Sequence, residues 1–183
     1  MAIPTDTLYG LAADPFNAAA VKRVFDAKRR PDAQPLLLVA ADVVQVSSQL
    51  GRLSAEGARL AERFWPGPLT LLVTAPAALA PAVAAGSGRV GVRVPAHEVT
   101  RALCRIAARL LTATSANISG EPPSSDPDVV ERSLGGSIDV LLDAGATAGG
   151  TPSTIVDVTG DEPRLIRAGA VSWEEVQACM RPA

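Results

Sequence analysis

Four short polar stretches interrupt a largely apolar chain, and each carries side chains able to do chemistry. The first is Pro4-Thr5-Asp6-Thr7-Leu8-Tyr9-Gly10, which sets two hydroxyls, a carboxylate and a phenol directly after an apolar start. The same residues would close a turn through Asx and Ser/Thr hydrogen bonds. The second is Lys28-Arg29-Arg30-Pro31. Basic residues complement the dipole at a helix C-terminus, but Lys28 and Arg30 can also converge on an anion, the arginine through two oxygens at once. The third is Thr114-Ser115-Ala116-Asn117-Ile118-Ser119-Gly120. If the strand before it stays extended, Ser115 and Asn117 face one side and offer a hydroxyl and an amide to one ligand; a polar turn explains the same types. The fourth is Gly149-Gly150-Thr151-Pro152-Ser153-Thr154, whose glycines let backbone approach a ligand closely.

Several familiar devices are excluded. There is no Gly-Lys-Ser/Thr phosphate loop and no Rossmann-type Gly-x-Gly-x-x-Gly turn leading from a strand into a helix. His97 is the only histidine, so a Ser-His-Asp triad or a multi-histidine metal site would have to use it, and its Pro95-Ala96-His97-Glu98 setting reads as a helix start. Cys104 and Cys179 lie far apart, which excludes a disulfide framework or a cysteine-rich zinc site and suits two buried thiols in a reducing cytosol.

The elements that must position these stretches follow from the apolar pattern. With 183 residues, 48% of them hydrophobic, the chain fits one domain with a substantial core. Lys+Arg 17 against Asp+Glu 19 gives a net charge of −2, which argues against global disorder and against a broadly basic nucleic-acid binder. No apolar run reaches the ~20 residues of a membrane span, and the start lacks the basic region of a signal peptide, so no membrane partner and a cytoplasmic location are expected. Short apolar runs predict strands at 2–4, 36–39, 69–73, 90–94, 110–114, 138–142, 154–158 and 164–166. Between them, amphipathic segments predict helices at 18–28, 42–50, 54–64, 98–108 and 127–134, and a last one from Ser172. Asn17 and Asp126 are candidate caps, Pro127 suits a first helical position, and Ser172 with Glu175 makes a capping box. This is an α/β pattern, and short links in the second half favour a single domain with a twisted, mixed β-sheet flanked by helices.

Taken together and in order, the polar stretches resemble the YrdC family, the threonylcarbamoyl-AMP synthases of tRNA modification. The likeness also rests on Phe64-Trp65-Pro66-Gly67-Pro68-Leu69-Thr70, Val92-Arg93-Val94-Pro95, Ser153-Thr154-Ile155-Val156-Asp157 and Leu165-Ile166-Arg167-Ala168-Gly169. It includes the family's Lys-x-Arg and Ser-x-Asn signature and runs over essentially the whole chain. The resemblance implies a YrdC-like fold with a concave cavity, and a nucleotidyltransferase that uses ATP, L-threonine and bicarbonate or CO2. Its products would be L-threonylcarbamoyl-adenylate and pyrophosphate. Mg2+ would accompany the ATP, and a downstream threonylcarbamoyl-transferase complex would pass the group to tRNA. By resemblance Lys28 and Arg30 are catalytic residues on the phosphates. Thr7, Arg93, Ser115 and Ser153 contact threonine, with Arg93 on its carboxylate. Gln34, Asn117, Ser125 and Arg167 contact the nucleotide. Such a reaction depends on positioning and charge neutralisation more than on a protein nucleophile.

The pattern is departed from in three places. Family members usually carry a helix ahead of the Pro-Thr-Asp-Thr stretch, so 1–183 is expected to be one domain without it. With the end at Ala183, the short form without an extra C-terminal domain is expected. Val39 stands where some members place a histidine near threonine. Two other functions fit parts of the pattern: an RNA-binding or ribosome-assembly protein, and a diverged paralogue acting on another carbamate acceptor. The first would hold tRNA or double-stranded RNA on a stripe of Arg23, Arg29, Arg30, Arg89 and Arg93, although only 3% of residues are aromatic.

Overall fold

Strand parity and helix caps together decide the architecture of the computed structural model, which describes residues 1–29 and 34–180. Its strands are β1 (Ala2–Ile3), β2 (Gly10–Leu11), β3 (Leu37–Val39), β4 (Leu69–Thr74), β5 (Arg89–Arg93), β6 (Leu111–Thr112), β7 (Thr114–Ser115), β8 (Thr154–Asp157) and β9 (Arg164–Arg167). Its helices are α1 (Ala18–Lys28), α2 (Val43–Leu50), α3 (Ala55–Phe64), α4 (Pro81–Ala84), α5 (Glu98–Ile106), α6 (Pro127–Leu134) and α7 (Trp173–Met180).

The larger sheet has the order β6-β3-β5-β4-β8-β9. It is mixed, as expected: β3 runs parallel to β5 and β4 parallel to β8, while β3–β6, β4–β5 and β8–β9 are antiparallel. A second, antiparallel sheet has the order β1-β2-β7. The single strand expected at 110–114 is therefore two. Leu111 and Thr112 pair with β3, and after Ala113 the chain crosses so that Thr114 and Ser115 pair with β2. The expected strand at 138–142 is also absent. Leu141 makes one parallel bridge to Ala2, flanked by bonds from the Ala2 amide to Val140 O (2.8 Å) and from the Leu142 amide to Ala2 O (3.0 Å). A two-residue β1 has no room for a longer ladder.

Caps chosen by local chemistry start the helices. Asn17 Oδ1 accepts from the amides of Ala19 and Ala20, Asp42 Oδ1 from Gln45, Ser54 Oγ from Gly57, and Asp126 Oδ1 from Asp128. Ser172 and Glu175 form the reciprocal box, with Glu175 Oε2 accepting from the Ser172 amide at 2.9 Å and Ser172 Oγ from the Glu175 amide at 3.2 Å. His97 occupies the N-cap position of α5 without a side-chain capping bond. On α1 the stripe Val21, Val24 and Phe25 is buried. Each such side chain contributes roughly 1.5–3 kcal/mol when fully buried. The main core also takes Leu38, Leu60, Leu69, Leu71, Val92 and Val176. A smaller cluster of Ile3, Ala12, Val39, Ala41, Cys104 and Leu111 fills the joint between the two sheets. Among the described residues no helix is long and apolar enough to cross a membrane.

Candidate active site

Alternation along the central strands puts one residue parity toward the helices and the other toward a cavity. On β5, Val90 and Val92 are buried in the core, whereas Arg89, Gly91 and Arg93 line a cavity of about 720 Å³. Val39, Leu72, Ser153 and Ile155 line the same cavity from β3, from β4 and from the start of β8. Pairing sets these residues in rows. Val39 pairs with Arg93, Thr70 with Ile155, and Ile155 with Arg167. Since Leu71 pairs with Val92 in antiparallel register, Thr70 and Arg93 are the next partners across. One row thus carries Val39, Arg93, Thr70, Ile155 and Arg167.

The loop between β1 and β2 closes one end of this row. Its turn is of the hydroxyl-closed kind: Thr5 Oγ1 donates to Leu8 O at 2.7 Å and accepts from the Thr7 amide at 3.2 Å. Asp6 Oδ1 faces Arg93 Nη1 at 2.8 Å as an ion pair that lacks hydrogen-bond alignment. Arg93 Nη2 makes only long contacts, to Thr5 Oγ1 at 3.3 Å and Thr7 Oγ1 at 3.5 Å. The Arg93 side chain is 9% exposed. Burial draws its guanidinium below its usual range, Asp6 opposes that shift, and nearby Arg167 adds to it. A buried cation whose nitrogens make only long or poorly aligned contacts favours an incoming carboxylate. Beside it Ser153 Oγ lies 2.8 Å from Thr70 Oγ1, and Arg167 Nη2 donates to Ser153 O at 2.7 Å and to its Oγ at 3.2 Å. Burial also lowers the Arg167 guanidinium.

At the outer end of β5 a second ion pair lies across the sheet. Arg89 Nη1 meets Asp157 Oδ2 at 2.5 Å, and Asp157 Oδ1 accepts from the amide (3.0 Å) and hydroxyl (2.6 Å) of Thr159. Burial pushes the Asp157 carboxyl up, but the Thr159 bonds and Arg89 outweigh it and hold the group below its ordinary value.

The Sua5_yciO_yrdC family model, described as “Telomere recombination”, matches residues 1–169. The chain belongs to this family. The Bacillus subtilis relative, a threonylcarbamoyl-AMP synthase, is 38% identical over 100% of this chain and 53% of its own length. A putative threonylcarbamoyl-AMP synthase of Mycobacterium tuberculosis is 36% identical over 95% of this chain and 80% of its own. The crystal structure of Pyrococcus abyssi Sua5 complexed with L-threonine superposes with a TM-score of 0.92, at 38% identity over 98% of this chain and 53% of that one. The chain therefore spans about half the length of the Bacillus and Pyrococcus relatives it matches.

Of the residues that the Sua5/YrdC pattern singles out, Thr7, Gln34, Arg93, Ser115, Ser153 and Arg167 all line the cavity. Lys28 and Asn117 do not. Lys28 is 2% exposed, and its Nζ donates to Ser115 O, to Asn117 O at 2.9 Å and to Asn117 Oδ1 at 3.2 Å. The chain does not stay extended past Ser115. The Asn117 amide turns back to Ser115 O at 3.0 Å, and its Nδ2 donates to Ile118 O and Glu121 O. Ser115 thus faces the cavity while Asn117 lies behind the wall. Ser125 is half-buried beside the loop that follows α6, accepting from the Thr147 amide through its carbonyl, and is not part of the wall. Arg30 lies outside the described residues.

The sequence marks Asp6 and Tyr9 as the carboxylate and phenol of one polar stretch but gives no role to Thr70 or Asp157. Tyr9 borders the cavity but is fully buried, and its hydroxyl donates to Gly145 O at 2.8 Å, so the phenol serves the fold. For Arg89 a signal exists in the alternation of Arg89, Gly91 and Arg93 with three valines. The stripe read as a nucleic-acid contact is broken by acids: Arg23 pairs with Asp139 at 2.7 Å, Arg89 with Asp157, and Arg93 with Asp6.

Proposed function

We propose that this chain synthesises L-threonylcarbamoyl-adenylate from L-threonine, bicarbonate or CO2, and ATP, for transfer to tRNA by a downstream threonylcarbamoyl-transferase. The observation that carries this reading is the convergence of Arg93, Thr7, Ser115, Ser153 and Arg167 on one cavity of about 720 Å³. That volume is within the range of roughly 300–1,000 Å³ usual for small-molecule sites and exceeds the needs of a single amino acid.

In this reading the poorly satisfied guanidinium of Arg93 takes the threonine carboxylate, and the hydroxyls of Thr7, Ser115 and Ser153 orient the rest of that substrate. The threonine nitrogen bonds to the carbon of CO2 and loses a proton, giving a carbamate. A carbamate oxygen then attacks the α-phosphorus of ATP as the bond to the β-phosphate bridge breaks, and pyrophosphate leaves. Arg167 offsets the charge that develops on the phosphates, and Arg30 is assigned the same task by the family pattern. Lys28 contributes through the turn that it holds, which fixes Ser115 at the wall. ATP enters as its Mg2+ complex. Bound with the ATP, Mg2+ would supply partial neutralisation of the triphosphate.

The test is pyrophosphate release by the purified chain from Mg2+ and ATP, with L-threonine and bicarbonate supplied singly and together. The expected result is release that needs both, with a product of threonylcarbamoyl-adenylate mass. Release indifferent to threonine would overturn the assignment.

A further inference from the structure

We propose that Arg89, held in place by Asp157, is a further contact for the phosphate chain of the nucleoside triphosphate, at the mouth of the cavity. This rests on the synthase reading. Arg89 shares the cavity face of β5 with Arg93, four residues and about 13 Å away between Cα atoms at the usual strand rise. The two arginines differ in depth: the Arg93 side chain is 9% exposed and the Arg89 side chain 47%. A single amino acid spans about 3.5 Å of extended chain. A threonine anchored on Arg93 therefore ends well short of Arg89, and the ligand that reaches the mouth is the nucleotide.

The geometry around Arg89 is that of a positioned anion contact. β5 and β8 are not neighbours, since β4 lies between them. The Arg89 side chain thus spans β4 over Leu72 to reach Asp157. Register places Asp157 beside Leu72, one row outward from Ile155 and Arg167. The guanidinium consequently stands on the same side of the cavity as Arg167. Asp157 is itself fixed, because its other oxygen is taken by Thr159. It holds Arg89 through Nη1 alone, and among the described residues Nε and Nη2 of Arg89 take no partner. An arginine anchored by one edge of its fork, half open to solvent and facing a cavity, can bind phosphate oxygens with the remainder. Asp157 is a positioning residue in this arrangement.

The measurement is the dissociation constant of Mg2+-ATP, AMP and L-threonine for the whole chain by titration calorimetry, at two salt concentrations, for wild type, Arg89→Gln, Arg89→Lys and Asp157→Asn. Arg89→Gln is expected to weaken ATP about tenfold and AMP less, to leave L-threonine unchanged, and to flatten the salt dependence of ATP binding. Arg89→Lys should recover part of the loss, and Asp157→Asn should weaken ATP less than Arg89→Gln does. Wild-type ATP affinity in Arg89→Gln overturns the proposal and leaves the synthase reading standing. Equal weakening of ATP and L-threonine overturns it too, because a damaged fold would do the same. Failure of the wild-type chain to bind ATP removes the synthase reading and this proposal together.

Discussion

The Lys28 ammonium sits on three oxygens of the 115–117 turn, and the Lys28 carbonyl accepts from the Ser119 amide at 2.9 Å, so side chain and backbone both fasten the turn to the end of α1. Removing that ammonium strands buried acceptors, each costing about 1–3 kcal/mol. Lys28→Met is therefore expected to destabilise the chain by about 2–4 kcal/mol, read as a lower urea midpoint, and to raise the KM for threonine by releasing Ser115. Unchanged stability with a raised KM for ATP alone would instead place the ammonium directly on phosphate. The types and order of Lys28, Ser115 and Asn117 are legible in the sequence, but their orientation is not. A strand that ends at Ser115, short of the extension to Asn117 that alternation requires, sends Asn117 behind the wall, and nothing local marks Ser115 as the last extended residue.

At the scale of elements, two glycines separate packing from binding. A Cβ on Gly169 would lie 2.3 Å from Pro152 O and 2.4 Å from the Thr154 amide nitrogen, both backbone atoms beside Ser153. Backbone cannot swing aside, so Gly169→Ala must push the end of β9 from the 152–154 segment. The expected loss is about 1–3 kcal/mol, or roughly 2–4 °C of Tm per kcal/mol for a chain of this size. A Cβ on Gly91 would instead meet Leu37 Cδ2 at 2.4 Å, the far end of a flexible side chain at the cavity wall. Gly91→Ala should turn Leu37 into the cavity and weaken ligand binding with a smaller change in Tm. Melting curves and substrate KM values for the two variants check this ordering, and a reversed order would show that the wall is stiffer than the strand pair. Caps such as Asn17, Asp126 and Ser172 are readable in the sequence because their hydrogen bonds reach only two or three residues. The mixed larger sheet is readable from its short links. The split at Ala113 and the missing strand at 138–142 are not, because each depends on which neighbour an apolar run finds, and that is settled by residues far off in sequence: Leu38 and Val39 for 111–112, Gly10 and Leu11 for 114–115, and Ala2 for Leu141.

For the whole molecule, the joint between the two sheets is the feature that decides whether the cavity keeps its shape. Val39 belongs both to the small cluster in that joint and to the cavity wall. Cys104, fully buried in the same cluster, directs its thiol to Val39 O at 3.7 Å. Burial pushes this thiol up to about 12, with Arg105 opposing weakly. The folded state thus holds the Cys104 proton where an unfolded chain, with a thiol value near 8.5, releases it. The folded form binds more protons over that interval, so stability is intact below about pH 8.5 and falls as pH rises, by about 1.4 kcal/mol per pH unit. Cys104→Ala should remove that part of the alkaline slope when urea midpoints are compared between pH 8 and 10. The second cysteine supplies a control within the same chain, because Cys179 on α7 is only partly buried. A thiol reagent at pH 8 is expected to label Cys179 in the native protein and Cys104 only as fast as the joint opens. Saturating ATP and threonine should slow the Cys104 reaction and leave that of Cys179 unchanged, since a filled cavity braces Val39 from its open side. Equal protection of both thiols would mean that ligands stabilise the fold as a unit, with no separate opening at the joint.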